Sequence, residues 1–410
     1  MKIGKSLLCF LCFLMLTSCA KEKLENSPPA KAEPISVKTE LPVYTAKKLL
    51  DTEILNMGEH DYLMAQYVEN NELYYSAVHL DNENVVNFLC RYDLTDHTVE
   101  VLKQLEGNYV INSFVYTEDA LIYSKIEPVS EIDNYNRFTV MMETEEGSRE
   151  IDHGLTTDYI SYNAKMHSPQ LIKAGEKVFY ATEDYTKDYE NDSAYNARFV
   201  MLDGDKRVDL ISENADTEDF MGVYNAYEKI FSYGSKLAVI IKQTPDMQLV
   251  TYEDDNKKSE KYIYSDDRQA IYIYDDTTSE LKQFQSDKEV EFSCFVDENT
   301  LYAIDTSIKI VDNMLFDTET GEFKQVKNDD YFYGYDTVDS WAEGKMLAHS
   351  DQSDVTKSTP ASYAMLAVND GLLMSAKIEF DELPETRSRI IKVNDDEILV
   401  NTADCFWIIK

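Results

Sequence analysis

Leu301-Tyr302-Ala303, Leu315-Phe316-Asp317-Thr318-Glu319-Thr320-Gly321 and Glu322–Val326 follow one another within a single short stretch of the chain. Each apolar run has the β-branched and aromatic content of a strand, and each is bounded by Asp, Asn or Gly, the residues of tight turns. The same unit is found elsewhere, as in Leu73-Tyr74-Tyr75 with Tyr92-Asp93-Leu94. Working outward, second strands of such units begin near Leu73, Leu121, Val178, Leu237, Leu301, Met346 and Ile398, at intervals of 45–64 residues. Recurrence at this period marks a repeat architecture.

Aligning the units gives four strands each. First strands read Tyr62–Val68, Asn112–Thr117, Pro169–Ala174, Lys229–Tyr233, Phe292–Val296, Ser340–Ala342 and Arg389–Val393. Turns such as Leu202-Asp203-Gly204-Asp205 and Asn369-Asp370-Gly371 join third to fourth strands, with Gly and Asp supplying the backbone that short hairpins need. Apolar residues alternate or run in short blocks rather than at helical spacing, so helix is scarce. The last unit, Arg389–Val393, Glu397–Thr402 and Asp404–Lys410, is one strand short. The segment Ala46–Glu53 is strand-like and otherwise unassigned, which predicts that it completes the last unit and removes an exposed edge.

A four-stranded antiparallel unit of this size is a propeller blade. The pattern resembles the β-propellers of exported bacterial proteins, the TolB-like and WD40-like group, over roughly residues 46–410. It lacks the Gly-His and Trp-Asp signatures of WD40 repeats and the paired glycines of Kelch repeats. The expected fold is all-β, a seven-bladed β-propeller closed by the N-terminal strand; the spacing also admits six or eight blades.

The N-terminus predicts an address. Met1–Lys5 is basic, Ser6–Met15 is apolar, and Leu16-Thr17-Ser18-Cys19 matches the lipobox of bacterial lipoproteins. That resemblance implies a signal peptide over residues 1–18 and a diacylglycerol anchor on Cys19 at the extracytoplasmic face of the cell membrane. The apolar run is shorter than the roughly 20 residues of a membrane span. Residues 19–43, with Pro28, Pro29 and Pro34 among charged and small side chains, read as a lipidated flexible tether, and 44–410 as the propeller domain.

The formal net charge is −38; losing Lys2 and Lys5 with the signal makes it −40. Such a surface repels phosphate backbones, so nucleic acid is not an expected partner. Cys90, Cys294 and Cys405 remain after processing, each inside an apolar run, and read as small buried hydrophobes rather than a disulfide framework.

In a propeller, connections between first and second and between third and fourth strands open on one face. Those between second and third strands, and between blades, open on the other. The first set is short. The second is long: His79–Val86, Lys125–Asn136, Glu183–Asn196, Lys242–Gln269 and His349–Ser362. Long loops on a rigid scaffold carry function. Three inter-blade joints add tyrosine beside Asn or Asp: Tyr159, Tyr162 and Asn163; Tyr224, Asn225 and Tyr227; and Tyr331, Tyr333, Tyr335 and Asp336, followed by Trp341. These eleven residues are the candidate ligand-binding set, since aromatic rings with polar tips suit sugars, peptides or a protein partner. With 29 Tyr in the chain, filling space between blades is the competing role.

Catalytic signatures are missing. There is no Gly-x-Ser-x-Gly elbow, Walker loop or His-Glu-x-x-His, and six histidines (His60, His79, His97, His153, His167, His349) are dispersed. The acidic runs Tyr252-Glu253-Asp254-Asp255 and Asp275-Asp276-Thr277-Thr278 carry oxygen ligands of the kind calcium takes, but neither has EF-hand spacing, so they read as solvated turns and no cofactor is expected. The sequence favours a monomeric binding module for an envelope protein, peptide or glycan over an enzyme. The alternative is a glycoside hydrolase or lyase with an axial carboxylate site, and a scaffold without a small-molecule site is a third reading.

Overall fold

The second strand of each unit is apolar on both faces, and the packing shows why. In Glu72–Asp81, Leu73, Tyr75 and Ala77 pack towards one neighbouring sheet with Leu399 and Phe406, while Tyr74 packs the other way with Ile111 and Phe114. Side chains alternate across a strand, so one buried on both sides reads as a continuous apolar run. Lys177–Asp184 repeats the arrangement: Val178 and Tyr180 face Val115 and Ile122, and Phe179 and Ala181 face Leu237 and Val239. So does Lys236–Thr244, with Leu237, Val239 and Ile241 on one side and Ala238 and Ile240 on the other. The core is therefore a series of layers between sheets.

The computed structural model describes residues 45–51, 62–81, 84–129, 135–157, 169–184, 196–204, 206–214, 224–244, 247–254, 257–264, 268–286, 290–305, 312–328, 337–342, 344–350, 362–369, 372–377, 379–380, 389–401 and 405–410. They belong to one compact unit, Pro42–Lys410. Residues 1–43, where the sequence leads one to expect a signal peptide and a lipidated tether, lie outside the described residues.

Strand β1 (Thr45–Asp51) precedes the first blade, which consists of β2 (Tyr62–Glu69), β3 (Glu72–Asp81), β4 (Asn84–Asp93) and β5 (Val99–Gly107). The next contains β6 (Val110–Tyr116), β7 (Leu121–Pro128), β8 (Tyr135–Thr144) and β9 (Gly147–Thr157). A third is built from β10 (Gln170–Ala174), β11 (Lys177–Asp184), β12 (Asn196–Asp203) and β13 (Lys206–Asn214). The fourth pairs β14 (Tyr224–Tyr233), β15 (Lys236–Thr244), β18 (Arg268–Asp275) and β19 (Glu280–Ser286), with a separate hairpin of β16 (Met247–Asp254) and β17 (Lys257–Tyr264) between β15 and β18. An eight-stranded sheet follows. Its halves are β20 (Val290–Asp297), β21 (Thr300–Asp305), β22 (Asp312–Asp317) and β23 (Phe323–Asn328), then β24 (Thr337–Ala342), β25 (Lys345–Ser350), β26 (Ser362–Asn369) and β27 (Leu372–Lys377). The last sheet has the order β28 (Glu379–Phe380), β1, β31 (Cys405–Ile409), β30 (Ile398–Asn401) and β29 (Arg389–Lys392).

The fold is all-β, a propeller of antiparallel four-stranded blades. The described strands make six blade sheets, not the seven separate ones expected. The outer strands β23 and β27 pair in parallel at Lys327↔Leu372 and Asn328↔Leu373, which fuses two repeat units into one sheet. In the last sheet β1 runs antiparallel to β31, with Ala46 opposite Ile409 and Asp51 opposite Cys405, and parallel to β28.

Two more expectations need correction. His79–Val86 is not a long loop: β3 and β4 stay paired as far as Asp81↔Asn84. Lys242–Gln269 is largely strand, since Met247↔Tyr264 through Asp254↔Lys257 form the β16–β17 hairpin.

Side chains from one blade hold the backbone of the next. Asn87 of β4 accepts from Ile111 N–H at 3.1 Å and donates to the Tyr109 carbonyl at 3.1 Å. Asn401 of β30 repeats the clamp on β2, accepting from Ala65 N–H at 2.9 Å and donating to the Leu63 carbonyl at 3.1 Å. Ser113 exchanges hydrogen bonds with the Leu171 backbone. Gln269 donates to the Val290 carbonyl at 2.7 Å. First strands have an unpaired edge, and these amides and hydroxyls satisfy buried backbone groups there. Between β9 and the sheet after it, the buried Asp152 carboxylate takes the Tyr180 hydroxyl at 2.7 Å, Arg207 at 2.7 Å and Arg198 at 3.2 Å.

Candidate ligand-binding face

The short turns gather at one end of the sheets and are tied to each other. In three units the turn between third and fourth strands donates a backbone bond to the turn between first and second, Leu94 to Asn71, Asp276 to Ser235 and Thr318 to Asn299, and in a fourth Val368, near the end of β26, donates to Gly344. Three of these turns are built on an aspartate. Asp93 Oδ1 accepts from the backbone of Thr95 and Asp96, Asp275 Oδ1 from Thr277 N–H and Oγ1, and Asp317 Oδ1 from Glu319 and Thr320. Gly321 completes the last one: its φ is +75°, and a Cβ there would meet the Phe284 ring at 2.4 Å.

The hydrogen bonds hold each carboxyl below its ordinary range. For Asp93 the Asp96 N–H contributes most, for Asp275 the Thr277 hydroxyl, and for Asp317 the Thr320 N–H. Asp275-Asp276-Thr277-Thr278 is thus a self-satisfied turn. Of Tyr252-Glu253-Asp254-Asp255, the first three residues lie in β16 and Asp255 is outside the described residues. Among the described residues no group of three or more His, Cys, Asp or Glu is placed to hold a metal ion.

Charges at this end are paired across blades. Lys173 of β10 reaches Glu69 of β2 at 2.7 Å, past the intervening blade. Lys177 meets Asp276 at 2.8 Å. Lys236, with 7 % of its side chain exposed, donates to Asn299 at 2.6 Å and Glu319 at 3.1 Å. Lys392 of β29 lies 5.9 Å from the Tyr233 ring of β14, and Tyr233 packs on Phe295 of β20 at 6.1 Å. First strands from well-separated blades therefore touch at the turn end.

The opposite end is the one expected to receive the long connections. Residues 158–168, 185–195, 215–223, 329–336 and 351–361 fall outside the described residues. Of the candidate set, Tyr159, Tyr162, Asn163, Tyr331, Tyr333, Tyr335 and Asp336 fall among them. Tyr224, Asn225 and Tyr227 do not form a joint; they begin β14, opposite Thr244, Gln243 and Ile241 of β15. This places their backbone at the root of the β16–β17 hairpin. Trp341 lies at the other end of its strand, at the Ser340/Ala342 bulge beside the short turn to β25. The structure thus brings the β14 residues to the long-loop end and sets the Trp341 backbone apart from them.

The sequence reading missed the hairpin, the clamping amides and a recurrent bulge. First strands β2, β6, β14, β20 and β24 each carry an extra residue, at Gln66, Asn112, Glu228, Ser293 and Trp341. Bulges bend a strand and redirect its side chains. Gln66 is buried, with Nε2 on Ser76 and Oε1 unmatched. Cys90, Cys294 and Cys405 are buried. Burial pushes the Cys90 thiol up to about 11, which keeps it protonated and inert.

No protein-family model matches the chain, and no curated relative does. Solved structures similar to it include the β-propeller domain of the Trilobed protease from Pyrococcus furiosus, at 11% identity over 86% of this chain and 94% of that one, with a TM-score of 0.48. Polysaccharide lyase Uly1 is similar at 8% identity over 84% and 89%, TM-score 0.49. TolB from Acinetobacter baumannii is similar at 10% identity over 83% and 80%, TM-score 0.31. Likeness at these identities concerns the β-propeller fold alone.

Proposed function

We propose that this chain is a lipid-anchored, extracytoplasmic β-propeller that binds an envelope protein, a peptide or a glycan through its long-loop face. The asymmetry between the two ends carries the reading. At the turn end, Lys173, Lys177, Lys236 and Lys392 are engaged with groups of other blades. A ligand docking there has to displace paired, partly buried charges, which costs desolvation without new partners. The other end is where the longer connections are expected, and binding residues concentrate in such connections on rigid scaffolds. We assign ligand contact to the tyrosine-rich segments around Tyr159, Tyr224 and Tyr333. Cys19 supplies the anchor and residues 19–43 the reach. The β1–β31 register supports closure of the ring by the N-terminal strand.

A pull-down from detergent-solubilised envelopes tests the face. A Tyr159→Ala, Tyr224→Ala, Tyr333→Ala variant is expected to lose the partners that the wild type captures. Equal capture overturns the assignment. Cys19→Ser is expected to move the protein from the membrane to the soluble fraction, and retention in the membrane contradicts lipid anchoring.

A further inference from the structure

We propose that the open edge of β16 is a strand-addition site for an extended, cationic segment of a partner polypeptide. The proposal rests on the long-loop reading above, because the hairpin is inserted between β15 and β18 on that side.

The β16–β17 hairpin forms a sheet of its own, and neither strand is bonded to another strand among the described residues. Two strands alone are marginal in water; a third makes such a unit stable. The register says which backbone groups are open. Asp254↔Lys257 is the last pair before the tip, leaving a two-residue loop. Such a loop is closed by a hydrogen-bonded pair, and bonded and non-bonded pairs then alternate. Gln248, Val250, Tyr252 and Asp254 therefore turn their N–H and C=O groups towards β17. Met247, Leu249, Thr251 and Glu253 turn theirs to the open edge, and Lys258, Glu260, Tyr262 and Tyr264 do so on β17.

The two edges differ in chemistry. Met247–Tyr252 holds no charge, Pro or Gly, and Leu249-Val250-Thr251-Tyr252 has high strand propensity, the composition of a pairing template. On β17, Lys257, Lys258 and Lys261 are the residues by which natural edge strands discourage pairing. The edge open to addition is that of β16. Charge selects the occupant. A second copy brings the same net charge of −38 and is repelled, whereas a cationic segment is drawn in. Main-chain bonds then supply affinity, as in other strand-addition complexes.

The test uses the full chain in detergent and a fluorescein-labelled peptide, Lys-Val-Thr-Val-Thr-Val-Thr-Lys, followed by anisotropy. Thr251→Pro removes an outward N–H and leaves the β16–β17 bonds intact; Glu260→Pro does the same on the guarded edge. Wild type and Glu260→Pro are expected to bind alike, and Thr251→Pro roughly tenfold more weakly, about the worth of one hydrogen bond. Hydrogen exchange on the wild type is a second readout that needs no variant. The peptide is expected to protect the amides of Leu249, Thr251 and Glu253 and to leave Lys258, Glu260 and Tyr262 unchanged. No peptide binding, equal losses in both variants, or protection on β17 overturns the proposal. If the peptide does not bind while envelope partners still depend on Tyr159, Tyr224 and Tyr333, strand addition fails and the face reading stands. If the peptide behaves as expected while those partners do not depend on the tyrosines, the reverse holds.

Discussion

Asn401 is one residue on which the last sheet holds the first blade. Its amide satisfies a carbonyl and an N–H two residues apart, on Leu63 and Ala65, both buried. Asn401→Ala leaves both without that partner at about 1–3 kcal/mol each, so denaturant titration is expected to show a loss of about 2–6 kcal/mol with an unchanged slope. A loss below about 0.5 kcal/mol contradicts the clamp. The turn aspartates set an acid dependence. Asp93, Asp275 and Asp317 have depressed folded pKa values. Their contribution is complete above the unfolded value of about 3.9 and is lost as pH falls through the lower folded values. Replacing all three by Asn keeps an oxygen acceptor and removes the titration, so the variant's stability is expected to fall less steeply than the wild type's below about pH 4. Identical profiles contradict it. The Asp-x-x-x-Gly turn at Asp317 was readable because its chemistry is local. The clamps were not, because Asn401 and Ala65 are 336 residues apart and only the fold makes them neighbours.

Second strands were the most legible elements. Burial on both faces, as for Leu237–Ile241, writes itself as an unbroken apolar run. First strands were harder, since a bulge such as that at Gln66 breaks the two-residue alternation. The hairpin reads as loop because Glu253-Asp254-Asp255-Asn256-Lys257-Lys258 is polar, and among the described residues β16 and β17 join no blade sheet. β1 overlaps the strand-like segment Ala46–Glu53, and it pairs with β31. Its removal exposes the edge of β31, whose residues Cys405–Ile409 are all buried. A chain starting at residue 62 is therefore expected to melt lower and to self-associate in light scattering, as unpaired edges do. A monomer with an unchanged midpoint contradicts a structural role for β1.

At the scale of the whole molecule, two ends of one propeller are treated differently. The turn end is occupied by its own bonds, and the other end carries the β16–β17 hairpin between β15 and β18. Blade number was not legible from spacing, because the repeats count units while the β23–β27 pairing joins two of them. The candidate site was legible only as a side of the ring, since ligand chemistry has no repeat to reveal it. Hydrogen exchange of the full-length protein, free and bound to a partner purified from the envelope, tests the central claim most directly. Protection is expected at the loop-end amides of the blades, Tyr224–Tyr227 and the β16–β17 hairpin among them, with the turns at Asn70, Gly234 and Thr318 unchanged. Protection confined to those turns contradicts binding through the long-loop face.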